Sequence, residues 1–242
     1  MSQMLQNLGK YRASQLAIEV EHVIRGQGIN PSHPNARSPQ LVRLAHRAIE
    51  TGYPLIKPVA IYRRLVARNL VHNRLRLVEG HVLHGSLITQ HLSGVTAVVI
   101  VLCTLGNKLD AAIEAANTTE PALALALDGF GSAAIEVLAN DICQVLARKA
   151  ATQEMQTTIP LSPGMIGWPV DQGQAQIFSI LDAQSISVTL NNACVMTPKK
   201  SLSFVVGEGY NLQPGRDTCE YCAMHETCRY QDHYDPNNIL RT

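Results

Sequence analysis

The feature that most constrains the fold is the run from Val95 to Leu105, apolar except for Thr96 and Thr104. It is rich in Val and apolar at both odd and even positions. Residues 95–103 therefore predict a strand buried on both faces, closed by Thr104-Leu-Gly106. The run is the longest of its kind in the chain and is too short to span a bilayer. The chain has 242 residues, which at about 150 per domain predicts one large domain or two small ones. Apolar residues make up 46% and charged residues 16%, enough to bury a core and to exclude disorder as the main state. Twenty Lys and Arg stand against 19 Asp and Glu, a formal charge of +1. That balance gives no footprint for nucleic acid or an anionic membrane surface. No basic region followed by an apolar one opens the sequence, so a cytoplasmic protein with reduced cysteines is expected.

Around the central strand the hydrophobic period changes along the chain. Ala13, Leu16, Ala17, Val20, Val23 and Ile24 recur at helical spacing, and Arg25 to Pro31 stops that helix. Three prolines up to Pro39 predict a connection. A second helix follows, with Ser38 as N-cap and Gly52 as C-cap. From Pro58 the period falls to two. Leu75, Leu77 and Val78 on one side of Glu79-Gly80, with Val82 and Leu83 on the other, predict a hairpin, and Ser86 to Leu92 a short helix. Residues 107–150 read as helical, with Gly129 and Gly131 as interruptions or points of close helix approach. A Pro- and Gly-rich loop, Met155 to Pro169, precedes a helix from Asp171 to Leu181. Strands are expected over Ile186–Leu190 and Leu202–Val206. The mixture predicts an α+β fold. It divides into residues 1–40 (a helix and connection), a core over 41–212 and a cysteine-bearing tail over 213–242.

Three features carry chemistry. Cys219-x-x-Cys222-x5-Cys228 has the spacing of a thiolate shell for Zn²⁺ or an iron–sulfur cluster. His225, His233 or Cys194 are options for a fourth ligand; a disulfide or free thiols are the alternatives. Ser162-Pro-Gly-Met-Ile-Gly-Trp-Pro169 holds the only Trp between glycines and prolines. Such a loop lets a ligand approach the backbone closely, or is a rigid connection whose Trp plugs the core edge. Glu136 sits among apolar helix positions. An unpaired carboxylate is costly there. It either holds a ligand's ammonium or hydroxyl groups, caps a loop or pairs with an Arg. Arg63, Arg64, Arg68, Arg74 and Arg76 form a basic stretch suited to solvent or to an acidic partner.

Several motifs stand in a familiar order: Ile56-Lys-Pro-Val-Ala-Ile-Tyr62, Glu79-Gly80, Thr104-Leu-Gly-Asn-Lys-Leu109, Leu127-Asp-Gly-Phe-Gly-Ser-Ala-Ala-Ile-Glu136, the Ser162–Pro169 loop, and Met196-Thr-Pro-Lys-Lys-Ser-Leu-Ser203. Together they resemble the activation domain of cobalamin-dependent methionine synthase, and most closely its stand-alone relatives, over roughly residues 20–230. The resemblance implies a C-shaped single α+β domain with a twisted antiparallel sheet and flanking helices. It implies S-adenosylmethionine as ligand and cobalamin supplied by a partner, a corrinoid protein or methyltransferase subunit. In the family the domain supports reductive methylation of inactive cobalt, with an electron from flavodoxin. Glu136, Pro163, Gly164, Met165 and Trp168 would then line the ligand site, and Cys219, Cys222 and Cys228 would hold the metal. The family's loop begins with an Arg that clamps the ligand carboxylate and ends in Tyr. Here those positions fall on Pro160 and Met165. Three functions follow: an accessory protein of a corrinoid methyltransferase system, a non-catalytic corrinoid-protein binding module, and a zinc-thiolate methyltransferase.

Overall fold

The computed structural model describes residues 8–30 and 38–212. The cluster of Cys219, Cys222 and Cys228 lies outside the described residues. In chain order the elements are β1 (Leu8–Arg12), α1 (Val20–Gly26), α2 (Pro39–Gly52), β2 (Val59–Val71), β3 (Arg74–Leu77), β4 (Val82–His84), α3 (Ser86–His91) and β5 (Ala97–Thr104). They continue with α4 (Lys108–Thr119), α5 (Pro121–Ala151), β6 (Gln156–Thr157), α6 (Val170–Ile180), β7 (Thr189–Leu190), β8 (Met196–Thr197) and β9 (Ser201–Gly209). The α+β reading holds.

One antiparallel sheet runs in the order β4-β3-β2-β5-β9-β6, with β1 also on β2. Strand β2 makes this possible by its length. Residues 59–66 pair with β5 on one edge; on the other, 59–63 pair with β1 and 67–71 with β3. The register slips between Ala67 and Asn69. A bulge of this kind bends a strand and strengthens its twist, and the sheet curls there. Strand β5 lies inside it, and all eight of its residues are buried. Alternation splits them. Val99, Val101 and Cys103 join one core; Val98, Ile100 and Leu102 join the other.

The first core lies under α1, α2 and α5. The 31-residue α5 carries 16 buried residues and is apolar nearly all round, as a core helix must be. By length and composition it is the one described helix fit to cross a bilayer, although the sequence had suggested that no segment was; 67% of its most apolar stretch is buried inside the protein. Gly129 meets α1 here: a Cβ on Gly26 would lie 2.1 Å from the Gly129 carbonyl oxygen. The two glycines are therefore a close helix approach. The second core is closed by α3, α6 and Trp168.

Two expectations of secondary structure fail. The helix read from Ala13 starts at Val20 instead, because residues 8–12 complete the free edge of β2. His22 Nδ1 accepts from the Glu19 N–H at 3.2 Å and fixes the start of α1. The strand read over Ile186–Leu190 is a 3₁₀ turn, Ala183–Ile186, followed by only two paired residues. Elsewhere Ser38 caps α2 as expected, its Oγ accepting from the Leu41 N–H. Pro121 divides the expected 107–150 helix into α4 and α5.

Candidate functional site

The Ser162–Pro169 loop is a closed knuckle. The Gly164 N–H donates to the Trp168 carbonyl (2.8 Å), Met165 N–H to the Ser162 carbonyl (3.2 Å), and Trp168 N–H to the Met165 carbonyl (2.9 Å). The Gly167 carbonyl accepts from Leu87 N–H at the start of α3. Gly164 and Gly167 have φ of +101° and +89°, which glycine alone adopts without strain. Trp168 is fully buried, and its Nε1 is a buried donor without a partner among the described residues. Its indole packs where a Cβ on Gly85 or Gly173 would lie 3.2 or 3.0 Å from it. Pro163, Gly164 and Met165 are half-buried, and Pro160 sits between buried Ile159 and Leu161. Trp168 fills the edge of the second core, as the plug reading of this loop expects.

Glu136 does not share a cavity with that loop, contrary to expectation. It lies on α5 beside Cys103 of β5 and Cys143, on the first core's side; Trp168 belongs to the second core, across the sheet. Alternation along β5 separates them, since Cys103 and Leu102 point to opposite faces. The carboxyl end of Glu136 is enclosed, and desolvation raises its pKa. Desolvation also pushes the Cys143 thiol up to about 12 and raises Cys103, with the Glu136 charge adding to both. These thiols are protonated and inert at neutral pH. Among the described residues no group of three or more His, Cys, Asp or Glu is placed to hold a metal.

A cleft of about 890 Å³ opens on the second-core side, at the sheet end where β2 begins and β5 finishes. It gathers three motifs that carry the sequence resemblance: Ile56–Val59, Thr104–Asn107 and Thr197–Pro198. Lys10 and Arg12 reach it from β1, because they alternate with Tyr11, which packs on the helical side. Lys57 is placed by its N–H, which donates to the Leu105 carbonyl at 2.8 Å. Thr104 is buried in the floor, where Ser201 Oγ donates to its hydroxyl at 2.8 Å. Ser185 to Thr189 form the opposite wall, and Lys10 Nζ donates to the Ser185 carbonyl at 3.4 Å. Among the described residues the lining holds three cations and no carboxylate. Lys57, Gly106, Asn107 and Thr197 fall within motifs quoted above; Lys10 and Arg12 carry no sequence signal.

Chain comparisons bear on this geometry. No family model matches the chain, and no curated protein does. Among solved structures it is similar to the MetH reactivation domain bound to AdoHcy, at 13% identity and a TM-score of 0.59. The likeness covers 86% of this chain and 80% of that one. With its curled antiparallel sheet between two helical layers, the chain has the fold of the MetH reactivation domain.

Proposed function

We propose that this chain is an accessory protein of a corrinoid-dependent methyltransferase system. It docks on a cobalamin-binding protein and supports that protein's reductive activation or methyl transfer. The observation that carries the reading is the fold it shares with the MetH reactivation domain over 86% of its length. The order of the sequence motifs supports it independently. Reduced cobalt is itself the strong nucleophile, so the chain needs none of its own. Its task is to hold a partner in position and exclude water. In the tail, Cys219, Cys222 and Cys228 would bind an iron–sulfur cluster or Zn²⁺, which elemental analysis of anaerobically purified protein distinguishes.

The neighbour holds AdoHcy. The corresponding methyl donor, S-adenosylmethionine, carries a sulfonium, an ammonium and one carboxylate. The described residues do not fit it well. Pro160 offers no donor for the carboxylate, and the loop's amides at Gly164, Met165 and Trp168 are bonded within the loop. The cleft presents cations to a ligand that is itself a net cation. This misfit favours a second reading within the same system, a corrinoid-protein binding module without S-adenosylmethionine chemistry.

The test is co-purification of the chain with a corrinoid protein under anaerobic conditions, with cobalt assayed in the complex. Stoichiometric cobalt is expected; its absence from every corrinoid protein offered removes the proposal. Return of the bound cobalt to the methylated state only when S-adenosylmethionine and reductant are added separates the accessory reading from the binding module.

A further inference from the structure

We infer that the cleft at the β2–β5 sheet end binds a phosphate-bearing small molecule of nucleotide size. Its volume, about 890 Å³, lies in the range of ligand pockets. Lys10, Arg12 and Lys57 come from two separate segments and converge on it, with no acidic residue in the lining. Among the described residues none of the three is paired with a carboxylate. Three like charges around one concavity repel one another, and an anion between them relieves that repulsion. Arg12 supplies a planar fork suited to phosphate oxygens, and the two lysines supply point charges. Asn107, Ser187 and Thr197 add neutral hydrogen-bonding groups for an uncharged body such as a nucleoside.

A second basic hollow, about 740 Å³ beside β3 and β4, makes a useful contrast. Arg68, Arg74 and Arg76 line it, but so does Glu79, which is paired with Arg63. Its lining carries that one carboxylate, although Glu79 is bonded to Arg63 outside the hollow, whereas the described lining of the cleft carries none. The inference rests on the cleft's charge and shape alone, so its failure leaves the corrinoid-accessory reading standing, and cobalt retention is unaffected by either outcome.

Calorimetric titration of the full chain with ADP, pyrophosphate, adenosine and S-adenosylmethionine tests it. ADP and pyrophosphate are expected to bind, with adenosine and S-adenosylmethionine at least about tenfold weaker than ADP and with affinity falling as salt rises. Arg12→Gln and Lys57→Gln should each weaken ADP by about tenfold, the value of one charge-assisted bond. Arg74→Gln, in the second hollow, should leave ADP binding unchanged. Arg12 and Lys57 are exposed, so both variants should keep the parent's circular dichroism, and either suffices if the other misfolds. Absence of ADP and pyrophosphate binding overturns the inference. So does adenosine binding as tightly as ADP, or a loss at Arg74→Gln equal to that at Arg12→Gln.

Discussion

The Ser162–Pro169 loop and the cationic cleft lie on the same side of the sheet and solve opposite problems. The loop satisfies its own amides and drives its one large side chain into the core. The cleft leaves three charges facing solvent with no opposing group in its lining. Residues adjacent in sequence make the first; segments up to 188 positions apart, Lys10 and Pro198, make the second. A dense local motif here marks a stabilising plug, and the surface with unmet bonding capacity is assembled from distant pieces.

The sharpest way to break the comparison is to empty the plug. Trp168 is fully buried between α3, α6 and the sheet. Trp168→Ala should cost about 3–5 kcal/mol in urea unfolding, the range for large aromatic truncations. Trp168→Phe should cost much less, because the lost indole N–H has no partner among the described residues. Equal losses for the two variants would mean that the N–H is bonded and the loop is more than a plug.

Much of the fold was legible in the residues. The Val-rich run at 95–103, apolar at every position but Thr96, was legible as an interior strand, and the strand found there, Ala97–Thr104, is buried throughout. Ser38 and Pro39 announced α2 through cap chemistry. Residues 8–12 were not legible as a strand, because β1 pairs only with the edge of β2, which no local pattern encodes. The candidate site was legible only in part. Lys57, Asn107 and Thr197 stood inside conspicuous motifs, but their meeting depends on strand register. Glu136 stood out for its apolar neighbours, and what it faces was decided by the alternation of β5.

Pro160 leaves the clamp position without a donor, and restoring one should create binding. Pro160→Arg places a guanidinium where the family that the sequence resembles would have its clamp. S-adenosylmethionine affinity should rise by about tenfold, the value of one charge-assisted bond, as read by calorimetry. Micromolar binding by the unmodified chain would show that another residue already supplies the clamp.

A smaller effect tests the far side of the sheet. Burial raises the Glu136 pKa, so the folded chain holds that proton more tightly than the unfolded chain. Ionised Glu136 therefore opposes folding above its raised pKa, and the penalty fades as pH falls through that value. Glu136→Gln should be more stable than the parent at neutral pH. The gap should close below about pH 4, where the unfolded carboxyl also takes up its proton. A gap that stays constant with pH would remove the desolvation account.

The smallest expected change completes the comparison from the cleft's side. Arg12 is exposed, sits on an edge strand and forms no ion pair among the described residues. Its charge is held near those of Lys10 and Lys57 without an answering carboxylate. Removing it relieves repulsion and sacrifices little packing, so the two effects oppose each other. Arg12→Gln should shift unfolding stability by no more than about 0.5 kcal/mol, with any change toward greater stability at low salt. Adding pyrophosphate should stabilise the parent by up to about 1.4 kcal/mol more than this variant, the difference a tenfold weaker affinity makes. A large loss on Arg12→Gln without ligand would make the residue structural, and the contrast between a self-satisfied loop and an open cleft would disappear.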